Sequence, residues 1–146
     1  EVDVQKFISD FKKEFFTMKA EQISFPRSCN NIRKYRDSNN VFIKGTPIHV
    51  KGALIYNHQI KEKNLDYKYP YINDGDKIKF VKLLEANPFK FDVISYVTKL
   101  PTEFNLEKFI DYETQFEKTF IDPISFILNS IGWSAEKKAT LESFFE

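Results

Sequence analysis

Thr46-Pro47-Ile48-His49-Val50-Lys51-Gly52-Ala53-Leu54-Ile55-Tyr56-Asn57-His58-Gln59-Ile60-Lys61 is the stretch on which the fold turns. Threonine followed by proline has the form of a helix N-cap with proline in the first turn. Val50, Ala53, Leu54, Asn57 and Ile60 then recur on one face, which predicts a helix from Pro47 to about Lys61. Downstream, Asn73-Asp74-Gly75-Asp76 is a turn by composition, and its two closely spaced Asp residues are too compact for a calcium loop spread over about 12 residues. Lys77 to Leu84 and Asp92 to Thr98 are β-rich and joined by Glu85-Ala86-Asn87-Pro88, which predicts an antiparallel pair.

Upstream, Val4, Phe7, Ile8, Phe11, Phe15 and Met18 form an apolar stripe at helical spacing, a core face. Pro26 follows it, and the next twenty residues, rich in Arg, Asn, Ser and Lys, read as an exposed loop. Toward the other end, Leu106, Phe109, Ile110, Phe116, Phe120, Ile124, Ile127, Leu128 and Ile131 again keep helical spacing, restarted at Asp122-Pro123 and ended at Gly132. The fold class is therefore α+β, mainly helical, with a small antiparallel β element.

The chain has 146 residues, 42% of them apolar and 29% charged, with 16 Phe and 7 Tyr. Such a chain can bury one sizeable aromatic core, and a second domain is not expected. A single cysteine, Cys29, excludes an internal disulfide and reads as a small buried apolar residue in a reducing compartment. No apolar run approaches the ~20 residues that cross a bilayer, so no membrane partner is expected. The first residue is Glu1 rather than Met, which suggests a processed or excised chain.

The net charge of +1 hides an asymmetry. Between Arg27 and Lys51 six cations face Asp37 alone, a net +5, whereas from Pro101 onward four lysines face nine carboxylates, a net −5. One surface can meet a polyanion and the other cannot, unless both are ordinary solvated faces. Catalysis by the chain alone is disfavoured. His49 and His58 stand nine apart, and no zinc set, phosphate loop or nucleophile elbow is present. In Ser28-Cys29-Asn30-Asn31-Ile32-Arg33-Lys34-Tyr35 hydroxyls and amides alternate with cations and end in an aromatic, a set able to hold phosphate oxygens and a minor groove. The stretch Lys44-Gly45-Thr46-Pro47-Ile48-His49-Val50-Lys51 adds donors and runs into a helix start.

These two strings, followed by Gly52-Ala53-Leu54-Ile55-Tyr56-Asn57, resemble the palm-to-thumb region of T-even-type phage family B DNA polymerases. The likeness continues through Asp74-Gly75-Asp76-Lys77-Ile78, Asn87-Pro88-Phe89, Asp111-Tyr112 and Phe116-Glu117-Lys118-Thr119-Phe120-Ile121-Asp122-Pro123 to the tail. The resemblance implies that residues 1–22 end the palm, with its last helix from Asp3 to Ala20, that 23–133 form the thumb, and that 134–146 are a clamp-binding tail. In that family the thumb wraps the primer-template duplex. The matching positions put this contact on Ser28, Asn30, Asn31, Lys34, Tyr35, Lys44, His49 and Lys51, with Lys34 and Lys44 on phosphate and Tyr35 against the primer's sugar or base edges.

The tail would insert Leu141, Phe144 and Phe145 into the sliding clamp, although Glu146 stands where that pattern has an aromatic end. The alternative is a terminal helix packing its Phe pair on the domain. The motifs holding the family's metal-binding aspartates lie N-terminal to the matched region and are absent here. The resemblance therefore implies no cofactor in this chain, with magnesium, nucleotidyl transfer and proofreading supplied by the remaining polymerase domains. The implied setting is the cytoplasm of a phage-infected bacterium. A rival reading from another class is a protein-interaction adaptor docking a partner through its acidic, aromatic C-terminal half, and a third is a small enzyme with an undetected site.

Overall fold

The computed structural model describes residues 1–136. The chain divides into two compact units, one made of Glu1–Met18 with the chain from Tyr112 onward, the other of Lys19–Asp111. Composition alone suggested one core.

In the first unit, helix α1 (Val2–Phe15) buries Ile8 and Phe15. Helix α5 (Tyr112–Phe116), a wider π turn (Glu117–Ile121) and α6 (Asp122–Ser130) follow one another without a break in helical backbone. Pro123 has no N–H to donate to the turn before it, and its ring crowds that turn's carbonyls. The helix absorbs the misfit by widening just ahead of the proline rather than by restarting at Asp122 as the sequence suggested. Phe116, Phe11, Phe15 and Phe120 form the aromatic core, with Phe116 5.1 Å from Phe15 and 5.3 Å from Phe120. Three of the expected core positions point outward: Phe7 is 65% exposed, Ile127 63% and Ile131 59%. Leu106 and Ile110, expected on the same helix, lie in the other unit before any α-helical turn begins. Gly132, at φ +78°, closes α6 as predicted: its N–H reaches the Asn129 carbonyl, and the Trp133 N–H reaches that of Leu128. That pair of bonds is the glycine-dependent helix stop. Ser134 joins the two ends of the unit, its N–H on the Glu1 carboxylate at 2.8 Å.

The second unit is built on a three-stranded antiparallel sheet in the order β1 (Phe25–Cys29), β4 (Asp76–Lys82), β5 (Val93–Tyr96). The β4–β5 pair is the predicted one, with Phe80 opposite Ser95. After one helical turn, α2 (Ala20–Ile23), strand β1, with Ser28 opposite Lys77, replaces part of the expected loop. The rest of that loop is one helical turn, α3 (Ile32–Tyr35), and a short hairpin of β2 (Arg36–Asp37) and β3 (Val41–Phe42). Helix α4 (Ile48–Glu62) follows. Its predicted cap is not formed: the Thr46 hydroxyl donates to the Ile43 carbonyl, and Pro47 is the residue before the first turn.

Helix α4 is more deeply enclosed than a one-faced helix. Val50, Gly52, Ala53, Leu54, Ile55, Tyr56 and Ile60 are all buried, and Gly52 lets the helix backbone come down onto β5 at Ser95. Tyr56 packs on Phe104 and donates its hydroxyl to the Pro70 carbonyl. Asn57, placed by its spacing among the apolar set, hydrogen-bonds the Ile72 backbone with both ends of its amide, at 2.8 and 2.9 Å. It thereby holds the chain before the Asn73–Asp76 turn against the helix. The buried Asn87 does similar work in the β4–β5 connection, donating to the Leu84 and Phe91 carbonyls and accepting from the Phe89 N–H. Polar side chains that satisfy backbone in this way are the usual reason such groups are buried.

Candidate nucleic-acid interface

The cations and amides singled out in the sequence all fall in the second unit, on β1, α3, the hairpin, the start of α4 and the connections between them. Ser28 is exposed on the edge strand β1, with the exposed Lys77 directly across the ladder on the same face. Cys29, next in the chain, points inward with no exposure, and burial, then Asp74 and Asp76, push its thiol up to about 11. It is the inert core residue expected from the sequence. Its carbonyl takes the Gly75 N–H at 2.6 Å, and the Asp74 carboxylate accepts the Ile32 N–H, so the Asn73–Asp76 turn anchors the start of the basic segment. Gly75 sits at φ +84°, a conformation that favours glycine.

Asn30 and Asn31 are both exposed at this corner, Asn31 in the left-handed region at φ +63° and accepting the Lys34 N–H. Asparagine tolerates that conformation better than most side chains. The Lys34 ammonium lies 5.5 Å from the centre of the Tyr35 ring. Tyr35 accepts the Ile43 N–H at 2.9 Å, which brings the residue before Lys44 beside it although the two are eight positions apart. Lys44 is exposed and forms no ion pair among the described residues.

His49 belongs with Ser28. Burial and then Arg27 lower the pKa of its ring, and a hydrogen bond with the Ser28 backbone works the other way. Phe80 lies beneath this pair, 6.4 Å from the imidazole and 5.8 Å from the Arg27 guanidinium. Lys51 stands apart. Its ammonium is 5.0 Å from the Phe42 ring and 3.6 Å from Asp92, which also binds Lys82 at 3.0 Å. Burial tends to raise the Asp92 carboxyl, but Lys82 and Lys51 outweigh it and hold the pKa below the ordinary carboxylate value. Lys51 is thus engaged by a carboxylate, whereas Lys34 and Lys44 form no ion pair among the described residues.

Along 99% of its length, in an alignment of 149 positions, the chain is 31% identical to a DNA-directed DNA polymerase of Enterobacteria phage T4. Over 124 residues, 82% of the chain, it is 34% identical to a DNA-directed DNA polymerase of Escherichia phage RB69. The chain is similar to one segment of phage DNA polymerases. It spans only 16% and 13% of the length of these relatives. A scan against protein-family models finds no match. The likeness to phage polymerases expected from the sequence is thus found from end to end of the polymerase-like chain.

Two basic residues of this surface were not assigned a role from the sequence. Arg27 shares the Phe80 ring with His49, and Lys77 faces Ser28. Lys77 opens a run predicted as a strand far downstream, and only the β1–β4 pairing brings it to Ser28. Leu141, Phe144 and Phe145 lie outside the described residues. Among the described residues no group of three or more His, Cys, Asp or Glu could hold a metal ion, and no helix is long and apolar enough to cross a membrane.

Proposed function

We propose that this chain is the thumb and carboxyl-terminal tail of a phage family B replicative DNA polymerase, and that it holds the primer-template duplex without reading its sequence. The observation that carries this reading is the juxtaposition of the half-buried Tyr35 with Lys34 and Lys44, both exposed and without an ion pair among the described residues, in a chain similar to DNA polymerases along 99% of its length. Lys34 and Lys44 meet phosphates of the duplex backbone, and Tyr35 lies against a sugar or base edge. Ser28, Asn30, Asn31 and His49 supply neutral donors toward the backbone and minor groove. Lys51 contributes less than the other lysines, because DNA must compete for it with Asp92. The active site, its magnesium and proofreading belong to the remaining polymerase domains, in the cytoplasm of an infected bacterium.

The test is the anisotropy of a fluorescent primer-template titrated at several salt concentrations. Lys44→Ala lowers affinity on every sequence and reduces the slope of log affinity against log salt by about 0.9, the share of one phosphate contact on duplex DNA. Tyr35→Ala lowers affinity with little change of slope. Wild-type binding by both variants would remove the grip.

Tethering to a sliding clamp through Leu141, Phe144 and Phe145 is the second half of the proposal. Phe144→Ala with Phe145→Ala abolishes capture by the immobilised clamp and leaves duplex binding intact. Loss of both activities together points to a folding role for the pair instead.

An adaptor function is the rival. What favours it is the apolar surface of α6, where Phe126 is 83% and Ile131 59% exposed within the acidic part of the chain. Duplex affinity that falls steeply with salt belongs to the thumb reading alone.

A further inference from the structure

The second unit holds a groove of about 560 Å3 that contains none of the eight residues assigned to the duplex. Its walls are the outer side of α4, the β2–β3 hairpin and the segment 71–73. The floor is apolar, made by Val41, Leu54 and Ile72. Arg36, His58 and Lys61 also line it, as does Tyr71, which has 38% of its surface exposed.

The polar groups in this groove divide into spent and unspent ones. Asn57 has both ends of its amide on the Ile72 backbone, so it holds the third wall in place and offers nothing to a ligand. Asp37, the groove's one carboxylate, accepts the Asn39 N–H at 2.9 Å and keeps its negative charge, which offsets only one of the two cations of the lining. Arg36 and Lys61 have no ion pair among the described residues. Two available cations over an apolar floor with an aromatic wall match a ligand that is anionic at one end and flat and apolar at the other. A guanidinium and an ammonium together suit phosphate oxygens, and a tyrosine ring offers a stacking surface to any base. Pockets of about 300–1,000 Å3 take ligands of nucleotide size. A paired base shows only its edge and cannot lay its face on such a floor, so an intact duplex is not the occupant.

We propose that this groove binds a nucleoside phosphate, with the phosphate at Arg36 and Lys61 and the base beside Tyr71 over Val41, Leu54 and Ile72. The same chemistry is carried by a free nucleotide and by one nucleotide of a single strand. The inference does not rest on the duplex grip, since the two share no residue.

Methyl-labelled protein titrated separately with thymidine monophosphate and with an octamer of deoxythymidylate tests it by NMR. The methyls of Val41, Leu54 and Ile72 shift with the octamer. Equal shifts with the mononucleotide assign the groove to free nucleotides, and shifts with the octamer alone assign it to a strand. Arg36→Ala with Lys61→Ala lowers octamer affinity about tenfold and reduces its salt slope by about 1.4, two contacts at ~0.7 each on single strands. Primer-template affinity, measured on the same samples, stays within about twofold, so failure of the groove is separable from failure of the duplex grip. Tyr71→Ala, at an exposed position, lowers octamer affinity with the slope unchanged. The proposal is overturned if those methyls stay still with both ligands, or if the double variant binds the octamer like wild type.

Discussion

Gly52→Ala is expected to lower the stability of the second unit by about 3 kcal/mol, the upper part of the range for overpacking a close contact. On helix propensity alone the substitution would gain about 1 kcal/mol, because glycine is the poorer helix former. Packing reverses the sign. An alanine Cβ at this position would overlap the Ser95 hydroxyl, stand 2.7 Å from the Ser95 backbone nitrogen and 3.0 Å from the Ile94 carbonyl carbon. The hydroxyl cannot swing aside freely, since it donates to the His49 carbonyl at 2.8 Å. The backbone atoms of β5 cannot move without breaking the ladder to β4. Helix α4 must therefore lift from the sheet, and the residues it buries lose contact along its length. Urea unfolding followed by far-ultraviolet circular dichroism measures the change. Adding Ser95→Gly recovers only the share due to the side chain. An unchanged or higher midpoint for Gly52→Ala would mean that α4 does not sit on β5 at this distance.

Phe116→Ala is expected to cost the first unit about 3–5 kcal/mol, as for other large aromatics removed from a core. Phe116 is 1% exposed and its ring meets those of Phe11, Phe15 and Phe120. Little else is buried in this unit: Ile8, Phe15, Leu128 and Ala135 are the other buried apolar residues among those described. The loss is consequently a large fraction of what holds the unit together. Trp133 is the only tryptophan of the chain and lies in this unit, so its fluorescence follows the unit's unfolding directly. A Trp133 transition that does not move on the Phe116 substitution would show that the aromatic cluster is not the core of the unit.

Both predictions concern positions whose importance is invisible in one dimension. Gly52 lies inside a strong helical pattern, where glycine reads as a mild defect; its partner Ser95 is 43 residues away. The stripe of α1 shows the converse error. Phe7 fits the helical spacing as well as Ile8 or Phe15, yet it is mostly exposed, because spacing tells which residues share a face and not how wide a face the neighbouring elements cover. The reading of the basic stretch as loop failed for a related reason. Its sequence has no alternation, since β1 is an edge strand whose central residues face solvent, and it is a strand because β4 offers its ladder. Strand formation here depends on a partner about fifty residues downstream.

Local chemistry settled what local energies can settle. The α4 segment, the Asn73–Asp76 turn, the β4–β5 pair and the glycine stop at Gly132 each follow from the turn preferences and periodic burial of neighbouring residues, although the cap expected at Thr46 did not form. The inertness of Cys29 and the clustering of cations between Arg27 and Lys51 were equally plain. Tertiary structure alone decided that Lys51 is paired with Asp92 while Lys34 and Lys44 are not, that His49 lies against Ser28, and that Arg36 and Lys61 share a groove. Charge is a property of a residue, but whether that charge is already compensated depends on atoms brought in from elsewhere in the chain, and only the folded molecule specifies them.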